Sequence, residues 1–478
     1  MAAVNARWHG GDLERTAPPR LRVNLLFLTL RRASLLACLL VPAAARAQEG
    51  DAPASVELGR LVRQVLDGPV MRAEALRTLA ERGKSDVAAA LIQALRFVRD
   101  DAGAIRATLA ALTGADVGGD WHDWMLWQEA HPEIAPFDGF DRFKADVMAV
   151  IDPDFRLFLY AGVKHEIRLE EIAWGGVVKD GIPALVDPVH IAAAEADYLE
   201  DDELVFGVLI NGDARAYPLR ILDWHEMFND RVGGVPLALA YCTLCGSGIL
   251  YETQVEGRDT PFVFGSSGFL YRSNKLMYDR ETNSLWNQFT GRPVVGALTG
   301  SGIELEVRPV AITSWAEWRA RHPDTRVLSL ETGFTRDYTP GRPYGAYFAD
   351  PELMFPALVP DGRLKPKDYV FALRAAGHEK AWPLTAFAGG AVINDTVGDL
   401  DVVLIGARAT RTVRAYEAGG RDFAAGDGDT VIADGAAWRI EEEALVGPGG
   451  ARLARLPGHI AYWFAWSGFK SGQPFYDD

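Results

Sequence analysis

The sequence predicts an α+β protein, with a small helical N-terminal domain followed by an internally duplicated, mainly antiparallel β domain. Three observations point there. Between residues 54 and 115 apolar side chains recur at helical spacing: Leu58, Leu61, Val62 and Val65, then Ala88, Leu91, Ile92, Leu95 and Val98. From about residue 146 the texture changes to short β-branched and aromatic runs bounded by Gly, Asp, Asn and Pro. Residues 205–245, moreover, are matched without a gap by residues 370–410, a constant 165 positions later. Val205, Phe206, Gly212, Ala216, Pro218, Asn229, Asp230, Val232 and Gly233 return as Val370, Phe371, Gly377, Ala381, Pro383, Asn394, Asp395, Val397 and Gly398. A constant offset across two strand-like runs and a turn marks a duplicated fold unit.

The elements follow in chain order. Residues 1–47 read as a signal peptide: Arg31-Arg32 precede an apolar stretch from Leu35 to Val41, and Ala45 and Ala47 fit an A-x-A cleavage pattern. Export is expected, to the periplasm or beyond the cell, with cleavage after Ala47. The apolar stretch is too short to span a bilayer, and the mature chain is expected to carry no transmembrane segment. Residues 52–145 form the helical domain, broken at Asp67-Gly68-Pro69 and Gly83-Lys84-Ser85 into short hairpins that resemble HEAT-type repeats. Trp121, Trp124 and Trp127 at its end are expected to be core.

Residues 146–330 form the first β unit. Leu204 to Ile210 is a strand, Asn211-Gly212-Asp213 a tight turn and Ala214 to Pro218 the returning strand. Ile221 to Phe228 reads as a short helix, and Val235 to Tyr241 as a strand that ends at cysteines. Ile249 to Val255 and Pro261 to Phe264 then suggest a hairpin around Glu256-Gly257. Residues 331–478 form the second unit, which repeats the pattern as far as Ile405 and then degenerates into Gly- and Ala-rich loops. The closing run Ala461-Tyr462-Trp463-Phe464-Ala465-Trp466 is too aromatic for a free tail and is expected to dock into the core.

Composition narrows the function classes. At 478 residues, 49% apolar and 24% charged, the chain is an ordinary globular protein with room for two or three cores. A formal charge of −16 with no basic stripe excludes a nucleic-acid partner. Phosphate loops, G-x-S-x-G elbows and H-E-x-x-H motifs are all missing, which removes the usual support for nucleotide hydrolysis, esterase and zinc peptidase chemistry.

The duplication acts as an internal control: what both copies keep is scaffold, and what one copy alone carries is the candidate site. His225 becomes Gly390, Cys242 becomes Ala407 and Cys245 becomes Thr410. After cleavage Cys242 and Cys245 are the only cysteines, in a compartment where thiols oxidise, and two cysteines cannot frame a domain this large. In the run Cys242-Thr243-Leu244-Cys245 the sulfurs converge only if the chain turns at Thr243-Leu244, and the glycines behind them permit that.

Three readings stand. The C-x-x-C pair is a redox-active dithiol with His225 as base or positive neighbour and an unidentified redox or protein partner. Alternatively His225, Cys242 and Cys245 hold zinc with an open fourth position, or copper with the thioether of Met277 added. Or the pair is an inert disulfide in a non-catalytic scaffold. A second cluster, Arg272, Asp279, Arg280 and Trp286, is either the wall of a substrate pocket or a buried polar network that fixes a turn-rich β domain.

The stretches Ile182-Pro183-Ala184, Ala214-Arg215-Ala216-Tyr217-Pro218-Leu219, His225-Glu226-Met227-Phe228-Asn229-Asp230 and Tyr241-Cys242-Thr243-Leu244-Cys245-Gly246-Ser247 resemble the family catalogued as domain of unknown function 3179. So do Met277-Tyr278-Asp279-Arg280, Ser284-Leu285-Trp286, Ser314-Trp315, His322-Pro323 and the aromatic C-terminal run. The resemblance covers about residues 150 to 475 and leaves out the helical front. Some members of that family look like selenoproteins with selenocysteine at a motif cysteine, which implies redox chemistry at that position.

Overall fold

A computed structural model of the chain describes residues 52–469 together with 475 and 476. The expected signal peptide, 1–47, and its cleavage site lie outside the described residues. The described residues belong to one compact unit.

Six helices open it: α1 (Ala52–Gln64), α2 (Pro69–Arg82), α3 (Ala88–Leu95), α4 (Ala102–Thr113), α5 (Trp121–Ala130) and α6 (Phe140–Ile151). The apolar α3 is buried along its whole length and forms the centre of this layer. Asp120 and Asp123 start α5 with reciprocal capping bonds, and Trp121 and Trp124 are buried as expected. The helices share one continuous apolar core with the first sheet, running from Leu91, Ile105 and Met148 to Phe269, Tyr278 and Val295. The helical layer is thus a wall of the β domain.

Among the described residues the strands form five sheets. Three belong to the first unit. One contains Phe264–Tyr271 and Asn274–Asp279, the second Met227–Val232, Val235–Cys242 and Ser247–Glu252, the third Leu204–Ile210 and Asp213–Pro218. Between the last two lies α7 (Leu219–His225), and α8 (Trp315–Arg321) follows the strand Ala311–Ser314.

The duplication holds in three dimensions. Leu204–Ile210, Asp213–Pro218, Val235–Cys242 and Ser247–Glu252 recur at the same offset as Tyr369–Ala375, His378–Pro383, Leu400–Ala407 and Thr412–Glu417. Registers recur as well: Val205 faces Pro218 and Val370 faces Pro383. Retained residues do retained work. The Tyr217 hydroxyl donates to Asp230 at 2.6 Å, and the Trp382 indole donates to Asp395 at 2.8 Å. Asn229 donates to the Phe264 carbonyl at 3.0 Å and accepts its N–H at 2.7 Å. Asn394 clasps Phe423 in the same two-way manner, at 2.8 Å for each bond.

These clasps are not equal in burial. Asn229 is buried, whereas Asn394 is exposed, so water can replace the second but not the first. Asn229→Ala is expected to cost about 1–3 kcal/mol, the penalty for stranding buried backbone groups. Asn394→Ala is expected to cost less than half as much. Urea unfolding of both variants checks this, and equal costs would refute the asymmetry.

Three local expectations are corrected. The helix expected over Ile221–Phe228 stops at His225, because Glu226 adopts a left-handed φ of 53° and Met227 and Phe228 start a strand. No hairpin joins Ile249–Val255 to Pro261–Phe264: Ser247–Glu252 pairs with Val235–Cys242, while Phe264–Tyr271 pairs with Asn274–Asp279. Beyond Ile405 the second unit does not dissolve into loops. Thr412–Glu417, Thr430–Ala433, Ala436–Ile440, Ala444–Val446 and Arg452–Leu456 are strands, whose small side chains conceal the alternation of a sheet. The aromatic run docks as expected, with Tyr462, Trp463, Phe464 and Trp466 buried.

Candidate functional site

Val235–Cys242 and Ser247–Glu252 are adjacent antiparallel strands, with Cys242 opposite Ser247. The four residues between them form a tight turn, closed by the Cys245 N–H donating to the Cys242 carbonyl at 3.1 Å. That turn brings the sulfurs together, and Cys242 and Cys245 form a disulfide with their Cα atoms 5.2 Å apart. Gly246 follows in the left-handed region at φ 59°, where a Cβ would stand 2.8 Å from the Tyr369 ring. Both its backbone angle and its space require glycine.

The second unit roofs this turn. The Tyr462 N–H donates to the Cys245 carbonyl at 2.7 Å, and the Tyr347 hydroxyl donates to the Leu244 carbonyl at 2.8 Å. Tyr347 belongs to a strap, residues 329–368, which also crosses the site with Tyr338 and Tyr344. Cys242 is 2% exposed and Cys245 0%. On the opposite side, Cys245 Sγ lies 3.5 Å from the Ser273 carbonyl oxygen. As a disulfide that sulfur has no proton to give; as a thiol it could donate there. Ser273 and Arg272 form a two-residue hairpin turn with φ of 58° and 47°. Two consecutive non-glycine residues in this region are costly, and they are held by the Ser273 hydroxyl on the Pro356 carbonyl and by Arg272 on Glu171.

A buried polar group lies against the turn. Glu226 accepts from the Thr243 hydroxyl at 2.7 Å and the Tyr344 hydroxyl at 3.0 Å, both on Oε1, and from Lys275 Nζ at 3.1 Å on Oε2. Burial pulls Lys275 below the ordinary range of an amine, while Glu226 opposes that. One turn back on α7, burial pushes the Asp223 carboxyl up to about 7, against the Tyr241 hydroxyl, which donates to it at 3.2 Å and favours its ionised form.

His225 is not part of this group. Its Nδ1 lies 2.8 Å from the Pro183 carbonyl and its Nε2 2.7 Å from the Tyr338 hydroxyl, so both nitrogens are engaged away from the sulfurs. Burial pushes the imidazole down to about 4, and it is neutral at neutral pH. His225 therefore supplies no positive charge to the thiols, and the cation within the neighbouring polar group is Lys275, bound to Glu226. The reason is the left-handed Glu226 at the end of α7, which makes neighbouring side chains diverge.

The metal reading depends on His225, Cys242, Cys245 and Met277 meeting as ligands. Among the described residues no group of three or more His, Cys, Asp and Glu side chains is placed to hold a metal ion. Met277 packs in the same apolar cluster as the cysteines, but the sulfurs are spent on each other. Copper or zinc would need that bond reduced and His225 released from both partners.

The four expected pocket residues are likewise drawn into separate structural bonds. Arg272 pairs with Glu171 at 2.7 Å, and Arg280 with Asp180 at 3.3 Å. Asp279 is fully buried and accepts from the Trp286 indole at 2.9 Å and the Thr282 hydroxyl at 2.8 Å. Trp286 is packed between Phe262 and Phe264. The buried-network reading describes Asp279 and Trp286, while Arg280 is 41% exposed on its side chain.

Sequence reasoning missed Asp223, Glu226, Tyr344, Tyr347 and the hydrogen bond made by Thr243, whereas Lys275 stood beside His225 and Arg272 as a source of positive charge for the thiols. For three of them the signal was present, since Asp223, Glu226 and Thr243 become Ala388, Ala391 and Arg408 in the second copy. That copy has a cavity of about 370 Å³ at the equivalent place, lined by Gly390, Ala391, Gly406 and Ala407 among others. At the counterparts of His225, Glu226 and Cys242 the second copy thus has small side chains lining a cavity.

A family model described as protein of unknown function (DUF3179) matches residues 179–473, the β part of the chain. No curated protein and no solved structure matches the chain.

Proposed function

Since the chain belongs to the DUF3179 family, whose description assigns no activity, we propose from its own residues that it is an exported thiol–disulfide redox protein. One observation carries the reading. A disulfide present in only one of two copies is seated against a buried Glu226–Lys275 pair that the other copy also lacks at its Glu226 position. A bond needed for the fold would be expected in both copies. A buried ion pair is costly to keep and is a weak source of stability.

The chemistry balances with a dithiol partner. A partner thiolate attacks Cys242, the marginally more exposed sulfur, and the S–S bond breaks. Cys245 leaves as a thiolate, takes a proton and can donate to the Ser273 carbonyl. The partner's second thiolate then attacks the mixed disulfide and releases Cys242. Two electrons and two protons pass from the partner dithiol to the chain, and the partner leaves oxidised. Access requires the strap carrying Tyr344 and Tyr347 to shift. The burial of both sulfurs favours the second reading, a non-catalytic interaction protein whose disulfide only closes a turn.

Native thiol titration separates the two. In dithiothreitol buffer without denaturant, two thiols are expected to appear and to vanish on reoxidation. Cys245→Ser, which leaves Cys242 free, is expected to attack the disulfide form of a dithiol protein and to hold it as a mixed disulfide that no Cys245 can resolve. If the bond opens only in denaturant, the redox reading fails and the scaffold reading gains. Secreted or periplasmic fractions are expected to hold a chain that starts at Gln48, as mass spectrometry of the purified protein would reveal.

A further inference from the structure

We propose that Glu226 and Lys275 act as positioning residues that set the reduction potential of Cys242–Cys245 in opposite directions, Glu226 favouring the disulfide and Lys275 the dithiol. This rests on the redox reading above. The geometry supplies the argument. Glu226 reaches the disulfide ring itself, because Thr243, the residue within that ring, donates its hydroxyl to Oε1 at 2.7 Å. Lys275 is held to that carboxylate, its Nζ 3.1 Å from Oε2 and 3.3 Å from the Glu226 carbonyl, and its strand also carries the Ser273 carbonyl oxygen that lies 3.5 Å from Cys245 Sγ. Both charges are buried, where solvent screens them little and a new charge on sulfur is felt strongly.

Reduction adds two electrons to the sulfurs and, at pH 8, fewer than two protons, because a thiol with an ordinary pKa of about 8.5 is partly ionised there, so the reduced state itself carries thiolate charge. A neighbouring carboxylate opposes that charge and an ammonium supports it. As an ion pair the two nearly cancel; singly they do not.

Other titratable groups face this pair. From α7, burial raises Asp223 to about 7, against the Tyr241 hydroxyl and the Arg411 charge, so at pH 8 it adds a second carboxylate that both variants and the wild type share. From the strap, Tyr344 meets Glu226 as a hydroxyl whose pKa burial raises well above the ordinary tyrosine value. Asp180 acts on Lys275 at longer range. Glu226 also has a left-handed φ of 53° as a non-glycine residue, a conformation that its partners must enforce. In the second copy its counterpart is Ala391, so the backbone there does without the carboxylate.

The test is equilibrium against a dithiothreitol redox buffer at pH 8, with the full mature chain. Glu226→Gln keeps the shape and the acceptor oxygen and is expected to move the equilibrium about tenfold towards the dithiol. That is about 30 mV for a two-electron couple. Lys275→Met is expected to move it about tenfold the other way. Lys275→Arg, which keeps the charge, is expected to stay within twofold and serves as the folding control. Shifts of the same sign, or both below twofold, overturn the proposal while leaving the redox reading intact. If the wild-type disulfide does not equilibrate at all, the redox reading itself is what fails.

Discussion

Glu442→Gln is expected to destabilise the protein by about 3–5 kcal/mol, the cost of breaking a buried ion pair from one side. Glu442 lies between the second unit's strands, 4% exposed on its side chain, and accepts from Arg414 Nε at 2.9 Å and from Arg455 Nη1. Arg321 of α8, in the first unit, approaches it to 3.6 Å. Removing the carboxylate strands Arg414 and Arg455, which are as buried as their partner. Desolvation pushes this carboxyl up, but the guanidiniums of Arg414 and Arg455 overcome it and hold the group well below the usual carboxylate range. A depressed carboxyl contributes its stability above the unfolded value and loses it as pH falls through the folded one. The wild type is therefore expected to have this contribution in full above the unfolded glutamate value of about 4.3 and to lose it progressively as pH falls further, and Glu442→Gln to lack it throughout. Urea unfolding at pH 7 and pH 3 measures both; a cost under 1 kcal/mol at pH 7 would mean that the arginines find water.

Asp223→Asn is expected to stabilise the protein at pH 8 and to leave it nearly unchanged at pH 4. Burial raises the Asp223 carboxyl to about 7, from an unfolded value near 4. For a raised group the favourable contribution is complete below the unfolded value and is lost as pH rises through the folded one. Between pH 4 and pH 7 the native state therefore holds a proton that the unfolded chain has released, and stability falls with rising pH. The full difference converts to at most ~4 kcal/mol at 1.36 kcal/mol per pH unit. Local relaxation and entering water reduce that, so a gain of about 1–3 kcal/mol for the variant at pH 8 is expected. Asparagine retains an oxygen for the Tyr241 hydroxyl, which bonds Asp223 at 3.2 Å. Thermal unfolding across pH 4 to 8 tests it: the difference between variant and wild type should open with rising pH, and a constant difference refutes the argument. The second copy places Ala388 here. A buried acid that weakens the fold at neutral pH and is dispensable to its twin fits a group kept for chemistry beside the disulfide.

Much of the architecture was legible from residues alone, because periodicity reports burial. Apolar spacing in α1 and α3 gave helices, β-branched and aromatic runs at Leu204–Ile210 and Val235–Tyr241 gave strands, and the fixed offset gave a second copy whose element bounds agree with the first. Legibility ended where the side chains became small. Ala424–Ala425 and Ala436–Ile440 are strands without a hydrophobic alternation strong enough to distinguish them from loop. It also ended at the helix stop after His225, where a glutamate, not a glycine, takes the left-handed position that normally marks a C-terminus.

The same boundary divides the site. The sequence alone determined that His225, Cys242 and Cys245 occur in one copy only, and that the two sulfurs converge if the chain turns at Thr243-Leu244. Only the tertiary structure decided which groups face them. Glu226 and Lys275 are 49 residues apart and meet because two sheets pack, while His225, the immediate neighbour of Glu226, is directed to Pro183 and Tyr338 by a reversal of the backbone. Contacts between distant residues are set by the packing of whole elements, and no local spacing encodes them.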